Sequence, residues 1–370
     1  MQFLHDFAQR EGVVLGWCKP EVDSDAAAFL AERQELGLAA PFVRWSPTER
    51  TQPGLLLDGV RTVISLAYPY EISHNNPDTE ARGTIARFSR GRDYHLVVRQ
   101  KLERLAEICQ ARFNTANIAC NIDTGPLIDR YWAAKTGLGG YGKNTAIITE
   151  EYGSWVTLGE LLLDVGLSEV QQHDPFMAGT CQGCNRCISA CPTGAIEAPY
   201  RVNPYKCLSF LTQQKGIFPR HYRDKLGNRV YGCDRCQEVC PYNVELLREG
   251  IKKKPRISDD DVEKVYPRLD FLLGLTNKKF KYFFAGTALG WRGKAVIQRN
   301  ALIAFGNLGY LTEAVFQAAE CENPNLRTHA YWAISKAGGS KNIDYLIKRL
   351  KLETDPEALG ELHYCLSRYV

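Results

Sequence analysis

Eight of the thirteen cysteines in this 370-residue chain fall in one stretch with a spacing suited to metal chemistry. Cys181, Cys184, Cys187 and Cys191, with Pro192 after them, read C-x2-C-x2-C-x3-C-P. In that run three thiolates hold one iron–sulfur cluster and the fourth reaches across to a second. An altered copy follows: Cys207 stands alone, then Cys233, Cys236 and Cys240 precede Pro241. The crossing rule assigns Cys181, Cys184, Cys187 and Cys240 to one 4Fe-4S cluster, and Cys191, Cys207, Cys233 and Cys236 to another. Zinc sites use paired C-x2-C units, and a third Cys after two residues with a fourth before Pro is not their spacing. The C-x3-C-x2-C triple of radical-SAM clusters is missing. Cys18, Cys109, Cys120, Cys321 and Cys365 are scattered and read as small apolar residues. Two crossed clusters form a wire, so a consumer of electrons is expected elsewhere in the chain.

Two segments could supply that consumer. Gly137, Gly139 and Gly142 match G-x-G-x-x-G, but residues 126–136 before them are helix-like and residues 144–149 after them strand-like. That order reverses the dinucleotide fingerprint. It leaves a glycine turn beneath a flat cofactor or a plain helix-to-strand turn. Asp123-Thr124-Gly125-Pro126 ends a strand-like run, so Asp123 is either a cap for the helix that follows or an acid at a strand end able to protonate a leaving oxygen. Basic residues also cluster. Residues 271–310 hold Lys278, Lys279, Lys281, Arg292, Lys294 and Arg299, no Asp or Glu, and interleaved Phe280, Tyr282, Phe283, Phe284 and Trp291, the footprint of a nucleic-acid partner. Arg82, Arg87, Arg90, Arg92, Arg99 and Lys101 form a second run, read equally as a solvated helix face.

The elements that must position these groups imply an α+β multidomain chain. Residues 1–170 alternate strand-like runs near Val63, Ile118 and Ala146 with a helix over 97–113, giving an α/β domain. Residues 171–250 form the cofactor domain. Residues 251–370, after a charged linker, are helical. There Ala301, Ala304, Phe305 and Gly309 recur 29 positions on as Ala330, Ala333, Ile334 and Gly338, a pattern of stacked helical repeats. A formal charge of +4 excludes little. No apolar run is long enough to cross a bilayer, and the first residues lack a signal-peptide or twin-Arg pattern, so no membrane partner and a cytoplasmic location are expected.

With these residues in view, the chain resembles the epoxyqueuosine reductases, cobalamin-dependent enzymes of tRNA queuosine synthesis related to reductive dehalogenases. The resemblance rests on Asp123-Thr-Gly-Pro, the turn from Gly137 through Lys143 and Asn144, Glu151-Tyr-Gly-Ser, Cys207-Leu-Ser-Phe-Leu-Thr, Gly227-Asn-Arg-Val-Tyr-Gly-Cys233, and Trp291-Arg-Gly-Lys294 with Gln298-Arg-Asn. It implies an N-terminal corrinoid-binding α/β domain, a two-cluster ferredoxin-like domain and C-terminal HEAT-like repeats. It also implies two-electron deoxygenation of epoxyqueuosine at the tRNA wobble position, with electrons from an unidentified low-potential donor. Carried over, Asp123 is the proton donor; Arg50, Ala86, Asp123, Ile147, Leu158 and Leu208 surround cobalamin; Lys215, Arg292, Lys294 and Arg299 face tRNA. Asp93-Tyr94-His95 lacks the glycine of the motif that supplies histidine to cobalt, with Val98 in its place. The competing readings are a reductive dehalogenase acting on a small molecule and a non-catalytic iron–sulfur carrier.

Overall fold

Short runs of β-branched and small apolar residues become the main sheet of the computed structural model: β1 (Val14–Cys18), β2 (Thr62–Pro69), β3 (Ile118–Asn121) and β4 (Val156–Leu163). Their order is β1-β2-β4-β3, and every neighbouring pair is antiparallel. The helix–strand alternation therefore does not build the parallel crossovers that such alternation usually signals: β4, last in sequence, inserts between β2 and β3 and runs opposite to both. The structure describes residues 1–70, 81–113, 117–167, 181–249 and 262–369, and the charged linker at 252–261 lies outside them.

Strand periodicity sends alternate residues to opposite faces. Ile64, Leu66, Leu161 and Leu163 meet Leu4 and Phe7 of α1 (Gln2–Glu11), and Val98, Leu102, Leu105 and Cys109 of α2 (Tyr94–Phe113). Each such fully buried side chain contributes about 1.5–3 kcal/mol relative to exposure. On the other face, Val63 and Leu162 pack with Trp132, and Ala67 packs with Ala133 and Ala134. Those partners come from α3 (Asp129–Lys135).

Chain contacts divide the molecule into two compact units. The first contains Met1–Ser73, Arg92–Tyr205 and Arg235–Lys254, and so holds the sheet. The second contains His74–Gly91, Lys206–Asp234 and Pro255–Val370. Within it, α4 (Lys294–Leu308), α5 (Pro324–Ala337) and α6 (Pro356–Leu366) pack in succession. The 29-residue recurrence falls on matching places in α4 and α5: Ala301, Ala304, Phe305, Ala330, Ala333 and Ile334 are all buried. Gly309 and Gly338 stop the two helices with φ of 66° and 71°, backbone that favours glycine. A Cβ on Gly306 would lie 2.6 Å from the Trp332 ring, so glycine there lets α4 and α5 close up.

Candidate active site and cluster cavity

In the first unit Cys181, Cys184 and Cys187, at the start of a short helix (Arg186–Ala190), line one cavity with Cys240, which lies just before a helix at Pro241–Glu249. Gly142, Lys143, Asn144, Ile148, Arg186 and Tyr242 also line it. Lys143 Nζ donates to the Cys184 carbonyl (2.8 Å) and Asn185 Oδ1 (3.0 Å), fastening the glycine turn to the cysteine loop. Burial pushes the Cys187 thiol up, and the charges of Cys181, Cys184 and Cys240 push it further. Cys240 is raised first by burial and also by Cys181 and Cys184, against the backbone N–H groups of Tyr242 and Asn243. A cavity that resists the ionisation of Cys187 and Cys240 in this way fits a cationic iron–sulfur core, whose metal charge removes the conflict. Cys191, in the same unit, is different: burial raises its thiol, but N–H groups of Thr193, Ala195 and Ile196 outweigh it and the net shift is downward. An amide-lined sulfur of this kind suits a bound thiolate. Cys236 belongs to this unit; Cys207 and Cys233 belong to the second.

The glycine turn is a tight hairpin in its own right. Gly140–Tyr141 pairs with Ile147–Ile148. A Cβ on Gly139 would lie 2.6 Å from the Ile148 carbonyl, and one on Gly142 2.6 Å from Asn144 Oδ1. These glycines serve the approach of the hairpin's own backbone and the wall of the cysteine cavity.

Asp123 caps no helix. The helix expected from residue 126 begins at Asp129, with Ile128 at its N-cap, because Asn121 Oδ1 accepts from Leu127 N (3.1 Å) and draws the intervening residues into a turn. Asp123 stands on that turn with 55% of its side chain accessible. Its Oδ2 accepts from Tyr94 Oη (2.6 Å) and lies 3.1 Å from His95 Nε2. The other ring nitrogen, Nδ1, lies 2.7 Å from Asp93 Oδ1. A ring facing a carboxylate at each nitrogen satisfies both only as imidazolium. Burial lowers the His95 pKa, yet its bonds to Asp123 and Asp93 outweigh this and raise it. For Asp123 burial acts upward, but His95 and Tyr94 prevail and the carboxyl is held below the ordinary range. The couple thus favours the proton on the histidine, beside a carboxylate whose Oδ1 makes no hydrogen bond among the described residues. Sequence reasoning named Asp123 but noticed Tyr94 and His95 only as part of a motif lacking its glycine; the adjacent Asp-Tyr-His triplet was the available signal.

The other expected site residues divide. Arg50 is half-buried, its pKa lowered by burial and then by the charge of Arg130, and among the described residues its guanidinium makes no hydrogen bond or ion pair. A cation so placed fits an anionic or amide-bearing cofactor. Ile147 is buried and Leu158 partly buried in the Ala67 group. Ala86 and Leu208 are buried, at 3% and 2% exposure. The side chains of Ala86, Ile147 and Leu208 are covered by protein and offer a cofactor little surface. Of the four expected tRNA residues, Lys215 is exposed and Lys294 partly exposed. Arg299 is a correction: it is 1% exposed, and its guanidinium donates to the carbonyls of Leu211 (3.0 Å), Gln214 (2.6 Å) and Gly216 (2.8 Å). Arg292 Nε donates to the Gln213 carbonyl, and its guanidinium stacks on Trp291. Both arginines brace the segment that presents Lys215. In the second basic run, Arg82 pairs with Glu263, Arg87 with Asp234 and Lys101 with Glu11.

A cavity of four ferredoxin-spaced thiols and an accessible, histidine-backed carboxylate define an iron–sulfur oxidoreductase. Residues 180–243 match the model of a 4Fe-4S double cluster binding domain, and residues 50–124 match that of Epoxyqueuosine reductase QueG, DUF1730. The chain is 36% identical over 341 residues to the epoxyqueuosine reductase of Bacillus cereus, covering 90% of this chain and 88% of that one. It is 35% identical to that of Bacillus subtilis over 367 residues, covering 97% and 93%. A crystal structure of epoxyqueuosine reductase with a tRNA-Tyr epoxyqueuosine-modified stem loop superposes with a TM-score of 0.87 at 32% identity, covering 99% of this chain and 98% of that one. The Streptococcus thermophilus epoxyqueuosine reductase gives 0.88 at 31% identity, covering 100% and 98%. The chain belongs to the epoxyqueuosine reductase family. Among the described residues no helix is long and apolar enough to cross a membrane.

Proposed function

We propose that this chain reduces epoxyqueuosine to queuosine in tRNA. The reaction breaks both C–O bonds of an epoxide; two electrons and two protons enter, and an alkene and water leave. The observation that carries the reading is the Asp123–His95–Tyr94 group, an accessible carboxylate hydrogen-bonded to a histidine and a tyrosine, in a chain whose relatives carry this activity over nearly their whole length. When bound, two 4Fe-4S clusters supply single electrons and cobalamin supplies the metal centre that reduces the epoxide.

The eight cysteines would hold the clusters as the crossing rule assigns them, a reading supported for the first by the shared cavity of Cys181, Cys184, Cys187 and Cys240. Arg50 would hold an anionic or amide edge of the cobalamin, supported by its half-buried guanidinium, which makes no hydrogen bond or ion pair among the described residues. Asp123 would take onto its carboxyl the proton that His95 Nε2 holds against Oδ2 and pass it to the departing oxygen, with Tyr94 holding the carboxyl in place. Lys215 and Lys294 would meet tRNA phosphates, with Arg292 and Arg299 shaping the segment behind Lys215. The division at 1–170, 171–250 and 251–370 then separates corrinoid, cluster and tRNA functions, the last on HEAT-like repeats, and a tRNA substrate goes with a cytoplasmic location.

Asp123→Asn should leave cluster and cobalamin absorption intact while queuosine formation falls by about 10²–10⁴-fold, the usual worth of a positioned acid. Turnover at the wild-type rate would remove Asp123 from the chemistry.

A further inference from the structure

A polar row interrupts the apolar face of the sheet beneath α3. Gly16 pairs with Ser65, Ser65 with Glu160, and Glu160 with Asn121 across all four strands. Cross-strand partners project to one face. The Val63–Leu162–Trp132 group lies on one side of this row and the Ala67–Ala133–Leu138 group on the other. Ser65, Glu160 and Asn121 are each no more than 1% exposed. Glycine at position 16 admits the end of α3, since a Cβ there would lie 2.5 Å from the Thr136 carbonyl.

A carboxyl buried in such a place is costly unless it is paired. Among the described residues no Lys or Arg pairs with Glu160. Asn121 Nδ2 instead donates to both Glu160 Oε2 (2.7 Å) and Asp129 Oδ1 (2.9 Å), so the two carboxyl groups converge on one amide nitrogen. Burial raises both, helped in Glu160 by the charge of Asp129 and in Asp129 by the charge of Asp123. Two carboxyl groups this close cannot both ionise without strong repulsion; one proton between them resolves it.

The far end of Asn121 controls the turn that carries Asp123. Its Oδ1 accepts from Leu127 N, and Gly125 passes so close that a Cβ would lie 2.1 Å from that oxygen. Gly125 N in turn donates to the Ile122 carbonyl (2.6 Å).

We propose that Asp129 and Glu160, joined by a shared proton, are positioning residues: they fix the Asn121 amide, which closes the turn and sets the Asp123 carboxyl for reaction. The proposal rests on the role given to Asp123 above. Losing the shared proton leaves two carboxylates on one amide; they separate, and Asn121 releases Leu127. The other charged and titratable groups facing the pair are Asp123, Arg130, Arg50, Tyr94 and Tyr141.

The test uses the cluster- and cobalamin-loaded chain in wild-type, Glu160→Gln and Asn121→Ala forms, with two readouts. The first is hydrogen exchange at the Leu127 amide against pH, corrected for the intrinsic rate; the second is the pH profile of kcat. In the wild type, protection of Leu127 and kcat should fall together as pH rises above neutral. Glu160→Gln keeps the hydrogen bonds without the titration, so both should stay level over the same range. Asn121→Ala should lose the protection at every pH and lower kcat by about a hundredfold, the loss expected from an ångström-scale misplacement, with KM for tRNA unchanged. Glu160→Gln following the wild-type pH dependence, or Asn121→Ala keeping its Leu127 protection, would overturn the proposal. Exchange needs no turnover, so an inactive wild type would count against the proposed reaction and leave exchange to decide the positioning role.

Discussion

Arg299→Ala separates a brace from an RNA contact. The side chain is buried, and burial together with the nearby charges of Arg223 and Arg292 pushes its pKa down to about 9, so it remains charged at neutral pH. Its removal leaves the Leu211, Gln214 and Gly216 carbonyls without their donor, along with Asn300 Oδ1. A buried carbonyl left unpaired costs about 1–3 kcal/mol. Leu211 is buried, but Gln214 is partly exposed and Gly216 exposed, so water can reach the last two and the loss comes to roughly 2–4 kcal/mol, a large share of the about 5–15 kcal/mol that holds a typical domain. Arg299→Lys keeps the charge but not the planar fork that reaches several carbonyls at once. Both variants should therefore unfold at lower denaturant, Ala more than Lys, with tRNA binding lost only as the fold is lost. An Ala variant with the wild-type unfolding midpoint and tRNA affinity reduced more than about tenfold would refute the reasoning and return Arg299 to the RNA surface.

His329 should make the second unit sensitive to acid. Its Nε2 accepts from Phe218 N (3.1 Å) and its Nδ1 donates to the Asn325 carbonyl (2.6 Å), the pattern of a neutral ring. Burial, then the charges of Arg223 and Arg299, hold its pKa well below the ordinary value. The unfolded chain takes up this proton first, so stability should be full above about pH 6.5 and fall by at most ~1.4 kcal/mol per pH unit below it. His329→Gln should flatten that slope in denaturant titrations. Cys240→Ser and Cys181→Ser should each abolish the same cluster and keep about half of the iron and sulfide, because the crossing rule puts both residues on one core; unequal losses would break the assignment.

What was legible in the sequence depended on whether the signal was local. Cysteine spacing is read directly from the chain, and Cys240 does line the cavity of the first triplet. The strands at Val63 and Ile118 follow from their β-branched runs, and the 29-residue recurrence marks equivalent places on α4 and α5. Contacts between distant residues were hidden. Pro126 suits a helix start, but the Asn121 side chain captures Leu127 and delays the helix to Asp129. Arg299 has the composition of a nucleic-acid contact, and only its own burial and its carbonyl partners reveal the brace. Likewise Asn121, Asp129 and Glu160 are ordinary residues until strand register and one amide bring them together.

The most direct test of the central claim is conversion on the natural substrate. The chain is loaded anaerobically with both clusters and cobalamin, supplied with a low-potential reductant and tRNA carrying epoxyqueuosine, and the digested tRNA is assayed for its nucleosides. Epoxyqueuosine should disappear and queuosine appear in equal amount, dependent on cobalamin and Asp123. A fully loaded, tRNA-binding chain that leaves epoxyqueuosine unchanged would contradict the account.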